Sequence, residues 1–292
     1  MRALIVGCGY IGLPLGAELV RQGHEVFGLR RSATADAELK LAGIHPLTGD
    51  ITQPDSLAKI PVQFDWVVNC VASSHGGAED YRRVYLEGTR NLLAWLAATP
   101  PKKFIYTSST SVYGQDDGSL VKETSAAEPT TETGTVLRET EQLLLAAAAE
   151  RQFPAVILRV AGIYGPERGH WFKQFLADEA RIEGDGSRLL NMIHRDDVIG
   201  AAIAALRSGR AGEIYNAVDD EPVAQRDFFR WLAESLDKPL PPSVPAEEGL
   251  ARKRGVTNKK ISNRKLKMEL GYAFKYPTFR QGYSAEIQRR DL

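Results

Sequence analysis

The sequence has few cysteines and no long apolar run. Among its 292 residues the only cysteines are Cys8 and Cys70. Two cysteines can form neither a disulfide framework nor a complete zinc set, which is typical of a cytoplasmic protein. No run of about 18 apolar residues is present, so we expect no membrane span. The N-terminal segment MRALIVGCGYIG is broken by glycines and lacks a small-residue cleavage site, so we do not expect a signal peptide.

The sequence also lacks an excess of either charge and any metal-binding pattern. It has 37 Lys and Arg residues against 37 Asp and Glu residues. A neutral chain has no overall attraction for nucleic acid or an anionic membrane, so we expect neither partner. The five histidines show no short ligand spacing, and we expect no metal site. The GxSxG pattern of many serine hydrolases is absent.

The first half of the chain alternates strand-like and helix-like segments. Apolar runs predict strands at 3–6, 24–29, 66–71, 103–107 and 155–160. Helical spacing predicts helices at 11–21, 81–98 and 134–151. Strands separated by helices indicate an α/β fold of the Rossmann type, with a doubly wound parallel sheet.

The second half has a looser pattern and predicts a smaller C-terminal substrate domain. We predict a dinucleotide-binding domain at 1–165, to which 190–220 returns, and a substrate-binding domain formed by 166–189 and 221–292. Helices are predicted at 197–206 and 225–236, and a strand at 212–217. Four prolines within 239–245 predict a loop.

A glycine motif at the first strand end predicts a nucleotide site. Residues 7–12 read GCGYIG, which is G-x-G-x-x-G between a strand and a helix. In such a motif Gly7 permits the tight turn, Gly9 lets the backbone approach a pyrophosphate, and Gly12 lets helix and strand pack. Together with Tyr10 and Ile11 they form our predicted phosphate-binding loop; the alternative is a turn without ligand.

Two arginines at the end of the second strand indicate a preference for NADP. A site for NAD carries an acid near this position, whereas Arg30 and Arg31 match a 2′-phosphate in charge and in donor geometry. The alternative is a pair of solvated surface arginines. Further cofactor contacts are predicted at Asp50, near the adenine, and at the strand end formed by Val71, Ala72 and Ser73.

These motifs together resemble a known family. The chain is similar to the extended short-chain dehydrogenase/reductases of the NAD-dependent epimerase/dehydratase family. The resemblance runs nearly end to end and is carried by GCGYIG, TSSTSVYG at 107–114, LRVAGIYGP at 158–166, IHRDDVIGA at 193–201, GEIYNAVDDEPV at 212–223 and ELGYAFKY at 269–276. It implies the predicted fold, a nicotinamide cofactor and a small-molecule substrate.

The resemblance also locates the catalytic positions, and here the sequence departs from the family. The family uses a Ser or Thr, a Tyr, and a Lys four residues after the Tyr. The motif places Ser109 at the serine position, Thr133 at the tyrosine position and Leu137 at the lysine position. None of the ten tyrosines has a lysine four residues later. This pattern is most similar to the atypical, YeeZ-like branch of the family.

Other groups are candidates for the missing proton transfer. Tyr113 is the phenol nearest Ser109 in sequence, although this tyrosine commonly has another role in the family. His75, in the loop after the cofactor-facing strand, could stand near the nicotinamide, but a solvated loop histidine is the alternative. On the substrate side, Arg168, Arg188 and the basic patch at 251–260 could meet a phosphate, or could form a solvated face.

Two functions remain open at this point. The first is an NADP-dependent oxidoreductase or epimerase-like enzyme with non-standard proton transfer, acting on a small polar or nucleotide-linked substrate. NAD is the alternative cofactor. The second is a non-catalytic NADP(H)-binding sensor or regulatory protein. The resemblance further implies a homodimer that pairs through the helices predicted at 81–98 and 134–151.

Overall fold

A single parallel sheet organises the chain. The computed structural model describes residues 1–60, 63–245 and 257–290. Seven parallel strands form a sheet in the order β12-β7-β5-β4-β1-β2-β3. These strands are β1 (Arg2–Val6), β2 (Glu25–Arg30), β3 (His45–Thr48), β4 (Trp66–Asn69), β5 (Lys103–Ser109), β7 (Ala155–Val160) and β12 (Ile214–Ala217). The remaining strands form two-stranded ladders and are β6 (Leu120–Val121), β8 (Gly162–Tyr164), β9 (Ile182–Glu183), β10 (Leu189–Leu190), β11 (Met192–His194), β13 (Val223–Ala224), β14 (Ser243–Val244) and β15 (Lys260–Ile261).

Helices pack against the sheet, and α7, α9 and α11 build a smaller part of the molecule beside it. They are α1 (Gly12–Arg21), α2 (Asp36–Leu41), α3 (Pro54–Leu57), α4 (Ala78–Tyr81), α5 (Gly88–Leu96), α6 (Glu132–Arg151), α7 (His170–Leu176), α8 (Arg195–Ser208), α9 (Gln225–Leu236), α10 (Arg264–Leu270) and α11 (Phe279–Gln288). A π-helical stretch, Arg82–Glu87, joins α4 to α5. Across the described ranges, no helix combines the length and the apolar character needed to cross a bilayer.

The predicted fold class is confirmed, and several element bounds differ. The strand predicted at 66–71 ends at Asn69, because the chain leaves the sheet there towards the cleft. The helix predicted at 81–98 begins at Ala78 and contains the π-helical stretch. The proline-rich segment at 239–245 was predicted to be only a loop, but Ser243–Val244 pairs with β9. A two-residue strand between prolines has too few residues for a periodic signal.

Two hydrophobic cores flank the sheet, and a third hydrophobic core lies in the smaller part built by α7, α9 and α11. The third core is rich in aromatic rings contributed by α7, α9 and α11, including Phe172, Phe228, Phe279 and Tyr283. Tyr283 stacks on Tyr164 of β8 with ring centroids 4.2 Å apart. This contact fastens α11 to a segment that leaves the main sheet directly after β7. The predicted domain division stays a prediction.

A buried ion pair joins α6 to the sheet. The guanidinium of Arg159 on β7 donates two hydrogen bonds to the Glu141 carboxylate on α6, at 3.0 and 2.7 Å. Ser108 on β5 donates a third at 2.7 Å. Both charged side chains are almost fully buried. Three elements therefore meet at one carboxylate.

We predict that Glu141→Gln lowers the free energy of unfolding by about 3–5 kcal/mol, because the Arg159 charge would remain buried without its counter-ion. Urea denaturation measures this change. The matched control is Glu139→Gln on the same helix. Glu139 pairs with Arg82 at 2.7 Å on the surface, so its loss should change stability by less than about 1 kcal/mol. Equal effects of the two substitutions would contradict the account.

Candidate functional site

A large cleft opens at the carboxyl ends of the parallel strands. Its volume is about 1450 Å³, and residues that follow β1, β2, β4, β5 and β7 line it. The chain order in the sheet changes direction between β4 and β1. Ligands of doubly wound sheets bind at such a switch point, outside the carboxyl ends of the strands. The far wall comes from the segments after β8 and around β10 and β15.

In the glycine loop a side chain would collide with the backbone at two glycines, whereas the third glycine has free space beside it. Gly7 has φ +91°, and a Cβ there would lie 2.8 Å from the backbone of Val71. A Cβ on Gly12 would lie 2.2 Å from the carbonyl oxygen of Gly7. A Cβ on Gly9 would meet no atom within 4 Å. The fold therefore requires Gly7 and Gly12, whereas the missing side chain of Gly9 leaves an open cradle against the cleft.

This cradle fits the pyrophosphate of a dinucleotide. Gly9, Tyr10 and Ile11 line the cleft, and α1 begins directly after them. The first turn of an α-helix carries N–H groups without intrahelical partners and the positive end of the helix dipole. A backbone that a phosphate can approach closely, followed by this helix end, matches the chemistry of the group.

The two predicted arginines have different surroundings. Arg30 donates to the carbonyl oxygen of Cys8 in the glycine loop and lies 3.0 Å from the Glu38 carboxylate. Its guanidinium therefore ties β2 to the loop and is already neutralised by an acid. Arg31 is exposed and also lines the cleft. Of the two, Arg31 is the better placed to meet an additional phosphate.

Of the remaining predicted cofactor contacts, three line the cleft and one does not. Asp50, Val71 and Ala72 line the cleft. Asp50 accepts two hydrogen bonds from Thr52, at 2.9 and 2.8 Å, which fixes its carboxylate. Ser73 is not found among the described residues that line the cleft. Its hydroxyl instead donates to Asp80, and this bond is the main cause of the lowered pKa of Asp80, about 2.

The three positions identified from the family motif lie together. Ser109 ends β5, Thr133 lies in the first turn of α6, and Leu137 lies one turn further along the same helix. All three line the cleft. The Ser109 Oγ accepts from the Ser111 N–H at 3.2 Å, and within the described ranges its own hydrogen has no acceptor. That hydrogen can therefore be donated to a ligand.

Tyr113 lies outside this group. Its side chain is fully buried, and its hydroxyl donates to Asn216 Oδ1 at 2.8 Å. The Arg159 guanidinium lies 4.6 Å from the centroid of its ring. Burial raises the pKa of the phenol. The contacts are those of a packing residue between β7 and β12.

Neither His75, a candidate from the sequence, nor the buried His194 is among the described residues that line the cleft. His75 is exposed. His194 is fully buried, lies 3.0 Å from Glu286 on α11 and accepts from the Asp196 N–H at the start of α8. Burial lowers the pKa of His194. These contacts fasten α11 to β11.

Tyr10 connects the glycine loop to the opposite wall. Its hydroxyl donates to the carbonyl oxygen of Pro166 at 3.0 Å. The guanidinium groups of Arg168 and Arg195 lie 5.0 and 5.5 Å from its ring centroid. Burial raises the pKa of Tyr10 to about 12, so the phenol stays protonated and keeps this bond at neutral pH.

Sequence reasoning missed Lys259 as an individual residue. It belongs to the basic patch predicted at 251–260, of which positions 251–256 lie outside the described residues. Lys259 lines the cleft with only 4 % of its surface exposed, and burial lowers the pKa of its ammonium to about 8. No local signal identified it, because Lys259 precedes the two-residue strand β15 and lies outside any periodic pattern.

Comparison with known proteins agrees with the geometry. The profile of the NAD dependent epimerase/dehydratase family matches residues 3–217. The chain belongs to this family. Within it, the chain is 29 % identical to protein YeeZ of Escherichia coli strain K12 over 289 residues, covering 94 % of this chain and 96 % of YeeZ. The resemblance predicted from the motifs is therefore confirmed.

Solved structures share the fold over nearly the whole chain. A functionally unknown conserved protein from Silicibacter pomeroyi is 29 % identical, with a TM-score of 0.79, covering 99 % of this chain and 98 % of that chain. DesIV, the dTDP-glucose 4,6-dehydratase of Streptomyces venezuelae solved with NAD and TYD bound, has a TM-score of 0.84 at 23 % identity, covering 99 % and 96 %. At that identity the likeness to DesIV shows the fold alone.

We predict that Gly9→Val abolishes nucleotide binding and leaves the stability nearly unchanged. The Cβ of the valine would meet no atom within 4 Å and its methyl groups would extend into the open cradle, so the free energy of unfolding should change by less than about 1 kcal/mol. Calorimetric titration with NADPH and urea denaturation measure the two effects. The matched control, Gly12→Ala, should destabilise the fold because its Cβ would collide with Gly7. Normal nucleotide binding by Gly9→Val would contradict the site.

A second prediction concerns the pH dependence of stability. The folded pKa of Lys259, about 8, lies below its ordinary value of 10.5. Below pH 8 both states are charged, and the folded state carries the cost of the buried ammonium. Between pH 8 and 10.5 the unfolded state binds more protons, so stability rises with pH. Relative to Lys259→Met, the wild-type chain should gain up to about 3 kcal/mol over this range.

Urea denaturation at several pH values measures this difference. The control is Lys260→Met, because Lys260 is the exposed neighbour and should show no such gain. A pH-independent difference between wild type and Lys259→Met would show that the ammonium is not desolvated.

Proposed function

We propose that the chain is an NADP-dependent oxidoreductase or epimerase-like enzyme that works without the usual Tyr-Lys pair. The observation that carries the proposal is the open cradle at Gly9, in one cleft with a Ser109 hydroxyl whose hydrogen is available to a ligand. The cofactor, when bound, supplies or accepts a hydride. Its pyrophosphate would be held by the loop at Gly9 to Ile11, and its adenosine end by Asp50 and Arg31.

The residues of this chain then position the substrate and polarise its oxygen. Ser109 would donate a hydrogen bond to a substrate carbonyl or hydroxyl. Thr133 offers a hydroxyl on the same wall, but a threonine hydroxyl does not ionise near neutral pH. Leu137 is 5 % exposed and offers only apolar contact. The loss of both ionisable groups should slow proton transfer, for which general acid and base groups contribute typically 10²–10⁴-fold.

The test is a turnover assay of the purified chain with NADPH and NADP against panels of carbonyl compounds, imines and sugar nucleotides. We expect slow turnover that Ser109→Ala lowers further. The control is Ser111→Ala: Ser111 lines the same cleft, and only its backbone N–H bonds to Ser109. Nucleotide binding without any turnover would contradict the enzymatic proposal.

The apolar Leu137 favours a second candidate, a non-catalytic NADP(H)-binding sensor. A leucine in the wall of a nicotinamide site can pack against a ring but cannot relay a proton. Tight nucleotide binding, no turnover, and a protein partner recovered only in the presence of NADPH would support this candidate over the first.

The proposed location is the cytoplasm, and the proposed assembly is a homodimer. The two helical regions through which family members pair correspond here to α4–α5 and α6, which lie side by side and are joined by the Arg82–Glu139 ion pair. Sedimentation of the purified chain would test the assembly.

We predict that Arg31→Asp weakens NADPH binding by about tenfold to a hundredfold, since a charge-assisted bond to the 2′-phosphate would be replaced by repulsion. NADH binding should be unchanged or tighter. Calorimetric titration with both nucleotides measures the selectivity. Arg31 is preferred to Arg30 for this test because Arg30 also holds the glycine loop. The control is Arg21→Ala, whose side chain pairs with Glu18 outside the cleft. Unchanged selectivity in Arg31→Asp would contradict the NADP preference.

A further prediction concerns restoration of the pair. Thr133→Tyr with Leu137→Lys places a phenol and an ammonium one helical turn apart on the cleft wall. We expect the double variant to exceed the wild-type rate of NADPH oxidation with carbonyl substrates by about tenfold or more. The control is Thr133→Phe with Leu137→Met, which fills the same space without ionisable groups. A folded double variant with no gain would show that the wall no longer presents these positions to the substrate.

A further inference from the structure

Lys259 is a buried lysine in the far wall of the cleft, which is formed by the segments after β8 and around β10 and β15 and is named the substrate wall. It precedes β15, whose pairing with β6 fixes the backbone, and the Asn191 side chain donates to its carbonyl oxygen at 2.9 Å. The Nζ atom donates to the carbonyl oxygen of Tyr113 at 2.7 Å. The side chain is therefore held by the protein rather than extended into solvent, while the residue still lines the cleft.

Within the described ranges the charge of this ammonium is not compensated by an acid. Among the described residues no carboxylate forms an ion pair with Lys259, and desolvation is the one cause that shifts its pKa. An ammonium has three N–H donors, and a single acceptor, the Tyr113 carbonyl, is found within the described ranges. Arg159 shows the usual arrangement for comparison, because its equally buried charge meets the Glu141 carboxylate through two hydrogen bonds.

Further cations line the same cleft. The charged residues of the described substrate wall are Arg168, Lys173, Arg181, Arg188, Lys259, Glu179 and Glu183. Cations outnumber acids on this wall although the whole chain is neutral. A cleft with walls of one sign raises the local concentration of ligands of the opposite sign.

We propose that Lys259 binds an oxyanion of the substrate, either a phosphoryl or a carboxylate group. An anion would replace the missing counter-ion and use the remaining N–H donors, which removes the cost of an unpaired buried charge. The inference deepens the proposed function, on which it rests, by assigning a negatively charged substrate to the same cleft. It also gives a role to a lysine whose buried charge lowers the stability of the folded state.

The test is calorimetric titration of the full chain with two probes, inorganic phosphate and malonate, at constant ionic strength. The titrations use wild type, Lys259→Met, Lys259→Arg and the control Lys260→Met. We expect Lys259→Met to weaken binding by about tenfold or more, because a buried charge pair loses one partner. Lys259→Arg should keep most of the affinity and Lys260→Met all of it. Preference for one probe identifies the oxyanion as phosphoryl or carboxylate.

The glycine loop is a second place where phosphate could bind, so each titration is repeated in Gly9→Val. Binding that depends on Lys259 should persist there. If wild type binds an oxyanion through Lys259 but no nicotinamide nucleotide, the proposed function fails and this inference stands. If the nucleotide binds and neither probe depends on Lys259, this inference is overturned and the proposed function stands.

A measurement on the wild-type chain guards against misfolding of the variants. The lysine Cε signals are observed by NMR in uniformly labelled protein, and the Lys259 signal is assigned from its disappearance in Lys259→Arg. Addition of the better probe should shift the Lys259 signal and leave that of Lys260 in place. A Lys259 signal that does not respond to either probe would overturn the inference.

Discussion

The hydrogen-bonded ion pair between Glu141 and Arg159 sets the geometry on which the candidate site depends. It joins the middle of α6 to β7, and Ser108 adds β5 to the same carboxylate. Ser109, the next residue, ends β5 at the cleft, while Thr133 and Leu137 approach the cleft from α6. The position of the serine relative to the two helical residues therefore follows from one buried carboxylate. Arg159 also lies against the ring of Tyr113, so the same cation supports the loop that follows Ser109.

The two halves of the cleft differ in how the charges of their side chains are paired. On the nucleotide half Arg30 pairs with the Glu38 carboxylate, and the Asp50 carboxylate accepts two hydrogen bonds from Thr52. On the substrate half no acid of the described residues pairs with the ammonium of Lys259. A protein tolerates such a cost where a ligand later supplies the missing charge, and this contrast is the reason to look for an anionic substrate.

The fold could be predicted from sequence because its signals are local. A strand, GCGYIG and a helix follow one another within about twenty residues, and Gln225–Leu236 is the helix that its spacing predicts. The roles of Ser73, Tyr113 and Lys259 could not be predicted in this way. Each depends on a partner distant in sequence or on a turn of the chain: Tyr113 meets Asn216, and Lys259 meets Tyr113. In a patch of basic residues, composition alone does not tell which lysine faces inward.

The most direct test of the account is a crystal structure of the chain grown with NADP. The account predicts the pyrophosphate against the open position at Gly9, the 2′-phosphate in contact with Arg31, and the nicotinamide on the wall that carries Ser109 and Leu137. A nucleotide that lies elsewhere, or whose ribose contacts Glu38 with no arginine at the 2′-position, would contradict the account.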